Sequence, residues 1–97
     1  MAVTFPLGLS VANTSSILWQ MVKGYILIKL IPGFETSALS QMRFTAGVID
    51  VHPVFGRWDV VAVGEASSLF ELSRLVINQI RGIQGVQDTE TLVQTEI

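Results

Sequence analysis

The chain from Lys23 onward alternates between apolar runs and amphipathic segments, and this order predicts strands and helices in turn. The apolar run over residues 24–31 ends at Pro32 and Gly33, which indicates a strand buried on both faces. Residues 35–46 have the apolar spacing of a helix that ends before Gly47. The apolar stripe of this helix consists of Phe34, Ala38, Leu39 and Met42.

The middle of the chain predicts two strands joined by a tight turn. Residues 48–55 and 58–65 have strand patterns, and Gly56-Arg57 is expected to turn the first strand directly into the second. Pro53 has no backbone N–H, so the first of these strands belongs at a sheet edge. The second is apolar on both faces and belongs at the centre of the sheet.

A second helix is predicted to begin at Ser68, because Ser68 and Glu71 have the spacing of a capping box. Gly82 or Gly85 marks its end. Its apolar stripe consists of Leu69, Leu72, Val76, Ile80 and Ile83. The last segment, residues 86–96, is rich in polar side chains and is predicted to form a strand at the other sheet edge.

The resulting order, β-α-β-β-α-β, predicts an α+β fold of the ferredoxin-like type. The first and third strands are expected at the centre of a four-stranded antiparallel sheet, with both helices on one face because both crossovers are right-handed. The other face is largely apolar. We therefore expect it to pack against the sheet of a second subunit, as in a dimeric α+β barrel.

The composition favours a homo-oligomer and argues against nucleic acid as a binding partner. Charged residues make up 14% of the 97 residues, against roughly 25% in an average domain. A single domain of this size cannot bury so much apolar surface alone, so we expect a homo-oligomer. The six basic residues are scattered and the net charge is −2, which argues against direct nucleic-acid binding.

Residues 1–22 carry no charged side chain and are interpreted as an N-terminal extension that is flexible or docks on a neighbour. The polar run over residues 13–16 argues against a membrane span, and a secretory signal would lack its basic region. A start at Met21 is an alternative. These features predict a cytoplasmic protein without membrane association.

Catalytic, metal and cofactor signatures are sparse. His52 is the single histidine, there is no cysteine, and no glycine-rich phosphate motif occurs. We therefore predict no catalytic residues, no metal and no cofactor. Gly56, Arg57, Trp58 and Asp59 form the most informative stretch.

The stretch from Gly56 to Asp59 has two interpretations. In the structural one, Gly56 adopts positive φ, Trp58 anchors a hairpin turn and Asp59 accepts backbone amides. In the functional one, the turn's amides and acidic side chain at a subunit junction bind a small zwitterion. Thr89 and Thr91 lie on one face of the last strand. In the structural interpretation they are ordinary strand residues, and in the functional interpretation their hydroxyls contact the bound zwitterion.

Five segments occur in a characteristic order: GYILIK at residues 24–29, PG at 32–33, GVIDV at 47–51, VFGRWDVV at 54–61 and GIQGVQDTET at 82–91. In this order and spacing, the chain resembles the effector-binding (RAM) domain of the Lrp/AsnC, or feast/famine, family. Gly56, Trp58 and Asp59 match the family's turn, whereas Arg57 replaces a residue that is frequently acidic there. The domain would span residues 23–97.

The resemblance implies dimers formed by apposed sheets, an octamer or similar ring of dimers, and amino-acid effectors bound between dimers near the turn. The expected ligand-binding residues are Gly56, Arg57, Trp58, Asp59, Thr89 and Thr91. Full-length members carry a helix-turn-helix domain, which 22 residues cannot supply. The resemblance thus predicts a stand-alone effector domain that regulates transcription by co-assembling with a full-length regulator.

Two alternatives remain at the level of sequence. One is a dimeric α+β-barrel enzyme, such as a cofactor-poor monooxygenase or isomerase, in which His52, Trp58 and Asp59 line a cavity within one subunit. The other is an assembly module that binds no ligand.

Overall fold

The computed structural model describes residues 21–95, which contain the predicted elements in the predicted order. The predictions for residues 1–20 and for Glu96 lie outside the described residues. The elements are β1 (Val22–Leu30), α1 (Glu35–Arg43), β2 (Val48–Pro53), β3 (Val60–Ala66), α2 (Leu69–Arg74, continued by a π-helical segment, Leu75–Ile80) and β4 (Val86–Val93).

The four strands form one antiparallel sheet in the order β2-β3-β1-β4, which confirms the predicted central and edge strands. Ile28 of β1 pairs with Val60 of β3 on one side and with Thr89 of β4 on the other. Pro53 pairs with Val60 at the end of the edge strand β2. Because no described strand pairs with the outer side of β2, the missing N–H of Pro53 removes no hydrogen bond between strands there.

Both helices pack on one face of the sheet, as predicted. Ala38 and Met42 of α1 are fully buried, and so are Leu72 and Ile80 of the second helical segment. Alternate residues of the strands complete the core. The core cluster comprises Ile26, Ile28, Leu30, Ala38, Met42, Val51, Val60, Ala62, Val76, Ile80 and Ile83.

The connection between β2 and β3 is longer than predicted. The sequence predicts a turn at Gly56-Arg57, whereas the structure has a connection of six residues, 54–59. The Val54 N–H donates to the Asp59 carbonyl oxygen at 2.9 Å, which closes this loop. The Asp59 N–H donates to the Ile28 carbonyl oxygen on β1, whereas the regular pairing of β1 with β3 places Val60 opposite Ile28, so Asp59 is one residue out of register.

The second helix begins as predicted, with the Ser68 hydroxyl accepting a hydrogen bond from the Glu71 N–H at 3.1 Å. The predicted stripe is wrong at Leu69, which is 60% exposed, while Leu75 is buried instead. Leu69 is the first residue of the helix and precedes the change to π-helical geometry at Leu75. Leu75 and Val76 are both buried in the π-helical segment, in which the Arg81 N–H donates to the Val76 carbonyl oxygen, five residues earlier. The wider turn directs adjacent positions towards the core.

The other face of the sheet carries no helix from residues 21–95. Its centre is an apolar strip formed by Tyr25, Leu27, Val61 and Val63, of which the first three are half-buried. Charged residues flank this strip along the same strands: Lys23, Lys29 and Glu65. We call this surface the open face. None of the described helices is long and apolar enough to cross a membrane.

Candidate functional site

The loop of residues 54–59 is held against β1 by Asp59. The Leu30 N–H donates to Asp59 Oδ2 at 2.8 Å, next to the register shift between Lys29 and Leu30. The Asp59 N–H donates to the Ile28 carbonyl oxygen at 2.9 Å. Asp59 therefore accepts a hydrogen bond from a backbone amide, as the structural interpretation predicts. The amide belongs to β1, however, and not to the turn.

The outer part of this loop presents aromatic and cationic side chains. Arg57 lies over the Trp58 ring, with its Cζ 5.8 Å from the ring centroid, and Lys29 Nζ donates to the Arg57 carbonyl oxygen at 3.3 Å. Gly56 has a φ of +138°, which favours glycine. Phe55 is fully exposed. The loop thus combines a fixed backbone with an exposed apolar tip.

A groove of about 330 Å³ lies between the second helical segment and β4. We call it the helix–β4 groove. Thr89 and Thr91 lie on its β4 side, because they pair with Ile28 and Ile26, whose side chains face the helices. Its lining residues are Leu69, Leu72, Ser73, Val76, Ile77, Arg81, Thr89, Thr91 and Val93.

The helix–β4 groove has one apolar and one polar end. Leu72 packs over Gly24, and Gly24 pairs with Val93, so the start of the helix lies over the end of β4. This end is apolar. At the opposite end, Arg81 follows the last turn of the π-helical segment, and Thr89 is the groove-lining residue of β4 that is closest to the start of the strand. The groove therefore offers a guanidinium and hydroxyls at one end and aliphatic carbons at the other.

The loop and the groove are separate in one chain. Thr89 and Val60 flank Ile28 on opposite sides, so the end of the loop lies roughly 10 Å, or two strand spacings, from Thr89. None of the four candidate loop residues lines the groove. The structure thus brings Thr89 and Thr91 together, and Gly56 through Asp59 together, at the same end of the sheet but with β1 between them.

The sequence did not point to Val93 or to three groove residues on the helical side. Ser73, Ile77 and Arg81 line the groove and follow Leu69 at intervals of four residues. This spacing defines a second face of the helix beside the buried stripe. The four-residue spacing is visible in the sequence, but a helix face with both polar and apolar side chains is also typical of an ordinary exposed surface.

His52 lies apart from both features. Its Nε2 is 3.0 Å from Asp50 Oδ2, and both side chains are more than half exposed on the edge strand β2. Within residues 21–95, no cluster of three or more histidine, cysteine, aspartate or glutamate residues is placed to hold a metal. His52, Trp58 and Asp59 are not among the residues that line the helix–β4 groove.

Residues 25–97 match the model of the Lrp/AsnC ligand-binding domain. The chain belongs to the Lrp/AsnC family. Among curated relatives of this Lrp/AsnC domain, an uncharacterized HTH-type transcriptional regulator of Pyrococcus horikoshii is 36% identical over 72 residues, which cover 71% of this chain and 48% of the relative. A regulator of the same description from Pyrococcus abyssi is 35% identical over 72 residues, with the same coverage. The chain thus spans about half the length of these relatives.

Solved structures share the fold of this Lrp/AsnC domain. E. coli AsnC is 25% identical, with a TM-score of 0.76 over 91% of this chain and 58% of that one. A feast or famine regulatory protein of M. tuberculosis, in complex with L-methionine, is 16% identical, with a TM-score of 0.70 over 90% of this chain and 57% of that one. A Neisseria meningitidis regulator in complex with L-Met is 14% identical, with a TM-score of 0.72 over 99% of this chain and 58% of that one.

Proposed function

We propose that this domain is an oligomeric sensor of an amino acid or related small metabolite, and that it regulates transcription without catalysing a reaction. The observation that carries the proposal is the helix–β4 groove, with hydroxyls, a guanidinium and aliphatic walls, in a chain that matches an Lrp/AsnC ligand-binding domain. Two regulators of the same fold are complexes with methionine. Small-molecule sites typically combine apolar walls with a few convergent polar groups.

The proposed site includes Gly56, Arg57, Trp58 and Asp59 in addition to Thr89 and Thr91. Since β1 separates these two groups within one chain, a complete site requires the loop of one subunit to approach the groove of another. The exposed loop tip at Phe55 favours such a contact, because burying it between subunits removes a large apolar side chain from water. Asp59 Oδ2 is occupied by Leu30, so the role of Asp59 is to hold the loop and to place negative charge beside a bound ammonium.

The proposed assembly begins with a dimer that covers the open face. Tyr25, Leu27, Val61 and Val63 form a continuous apolar strip with charged flanks, which is the usual arrangement of an interface core and rim. Dimers then associate into an octamer or similar ring through the loop and the groove. In the cell, this assembly includes a full-length Lrp/AsnC regulator, which supplies the DNA-binding domain and places the complex in the cytoplasm.

Thermal unfolding of the purified protein with each of the twenty amino acids, combined with light scattering, tests the function. A ligand at 100 times its dissociation constant stabilises the folded state by about 2.7 kcal/mol, which a melting curve resolves. We expect at least one amino acid to raise the melting temperature and to change the assembly. A stable oligomer that no amino acid or related metabolite affects would contradict the sensor and favour an assembly module.

A further inference from the structure

We propose that the domain has a second ligand site, a cavity between the ends of its two helices, and that this site binds an uncharged aromatic heterocycle such as a nucleobase. The cavity has a volume of about 440 Å³, and we call it the interhelical cavity. The residues that line it are all different from those of the helix–β4 groove. Binding at the interhelical cavity therefore does not depend on the proposed sensor function.

Both helices end beside the interhelical cavity. Phe44 and Thr45 directly follow α1, and Asn78 and Gln79 lie near the end of the π-helical segment. Ile83, which is 7% exposed and belongs to the core cluster, forms the inner wall. A ligand in this cavity would contact both helices and one apolar side chain of the core.

Phe44 supplies an aromatic wall that no other part of the domain covers. Its side chain is 87% exposed, although it lines a concave surface. Its backbone is fixed, because the Phe44 N–H donates to the Gln41 carbonyl oxygen at 3.2 Å and closes the end of α1. Flat heterocycles stack on aromatic side chains, and stacking removes apolar area of both rings from water.

The charges around the interhelical cavity favour an uncharged ligand. Among the lining side chains within residues 21–95, none is charged. Arg43 and Arg81 are close in sequence to lining residues, but Arg43 lines a different cavity and Arg81 lines the helix–β4 groove. A phosphate, carboxylate or ammonium group in the interhelical cavity would lose hydration without gaining an ion pair.

The side-chain amides of Asn78 and Gln79 determine which uncharged ligand fits. Each amide donates through its nitrogen and accepts through its oxygen. The edge of a nucleobase carries adjacent donors and acceptors, and asparagine and glutamine pair with adenine through two hydrogen bonds. The Thr45 hydroxyl donates to the Gln41 carbonyl oxygen at 2.8 Å, so it holds the end of α1. The amides thus favour a heterocycle with hydrogen-bonding groups over a plain hydrocarbon ring.

Gly82 leaves room for a flat ring against the backbone. A Cβ at Gly82 would have one listed neighbour beyond the adjacent residues, the Asn78 carbonyl oxygen at 3.5 Å, which is an ordinary contact distance. The volume of about 440 Å³ lies within the range of roughly 300–1,000 Å³ for small-molecule sites. The interhelical cavity therefore accommodates a fused two-ring heterocycle, of which adenine is the probe.

Equilibrium dialysis of the intact protein against adenine, benzimidazole and adenosine 5′-monophosphate tests the ligand class. Benzimidazole keeps the fused-ring shape of adenine and has fewer hydrogen-bonding groups. We expect adenine to bind, benzimidazole to bind about tenfold more weakly, and the monophosphate to bind no more tightly than adenine. Tighter binding of the monophosphate would overturn the uncharged class, and equal binding of benzimidazole would overturn the role of the amides. No binding of adenine at millimolar concentration would overturn the site.

The variants F44A and F70A test the location of the site. Phe70 is a matched control, because it is 66% exposed, lies beneath Arg74 and does not line the interhelical cavity. We expect F44A to weaken adenine binding about tenfold and F70A to leave it unchanged.

The variant G82V provides a second test, because it fills the cavity at a position where a Cβ has space. We expect G82V to weaken adenine binding about tenfold or more, with the fold retained in its circular dichroism spectrum. Unchanged adenine binding in folded F44A and G82V variants would overturn the assignment to the interhelical cavity.

Discussion

The carboxylate of Asp59 accepts a hydrogen bond from the backbone N–H of Leu30, with 2.8 Å between Oδ2 and the nitrogen. This contact joins the end of the β2–β3 loop to β1 where the pairing of β1 with β4 shifts register. The shift separates Lys29, which pairs with Asp88, from Leu30, which pairs with Val86. Asp59 therefore has a structural role in addition to its proposed place in the ligand site.

The pair D59A and D59N separates these two roles. D59A removes the acceptor for the part-buried Leu30 N–H, so we expect a loss of about 1–3 kcal/mol in the free energy of unfolding, measured with urea. D59N keeps an oxygen acceptor and removes the charge, so it should retain most of the stability and bind an amino acid more weakly. Equal affinity for D59N and the unmodified protein would remove Asp59 from the ligand site. Gln41, which is exposed on α1, supplies the control, as Q41A.

Gly85 and Gly33 provide a matched test of backbone and packing effects. Both have positive φ, +100° and +97°, but a Cβ at Gly85 would lie 2.3 Å from Phe34 Cβ, whereas nothing lies within 4 Å of one at Gly33. We expect G33A to cost about 1–2 kcal/mol through backbone strain and G85A to cost about 1–3 kcal/mol more through overpacking. Chemical denaturation of both variants checks this order. Equal losses would show that Phe34 moves aside freely.

Leu27 tests the proposed dimer interface. It lies on the open face between Tyr25 and Lys29, so L27D places a charge in the centre of the proposed contact. We expect the mass measured by light scattering to fall to that of a monomer, because a buried unpaired carboxylate opposes association. S40D, on the exposed surface of α1, is the control and should leave the mass unchanged. An L27D variant that is folded and still dimeric would exclude the open face as the interface.

Thr91 tests the contribution of the groove hydroxyls. T91V replaces the hydroxyl with a methyl group of similar size, so the packing against the helices is preserved. We expect the affinity for the bound amino acid to fall about twofold to tenfold, which is the range for one net hydrogen bond, with the assembly unchanged. T36V on α1, an exposed position, should have no effect on binding. Unchanged affinity in T91V would exclude its hydroxyl from the contact.

Most of the strand order was predictable because each strand has a local signal. Pro53 excludes a central position for β2, and the apolar residues of β3 require cover on both faces. The Ser68 cap was equally local, since it depends on a hydroxyl and an amide three residues apart. The β2–β3 turn could not be predicted from a local pattern, because Asp59 forms its hydrogen bonds with β1, about thirty residues earlier in the chain.

The sequence by itself determined the family, the order of the elements and the face of the sheet that both helices cover, because apolar spacing, proline and capping residues act over a few neighbouring positions. Only the tertiary structure decided that Thr89 and Thr91 face Ser73, Ile77 and Arg81 across a groove, while Gly56 through Asp59 lie beyond β1. The sheet register and the π-helical segment set these positions. The register and the π-helical segment depend on contacts between distant parts of the chain, and a local sequence pattern does not predict such contacts.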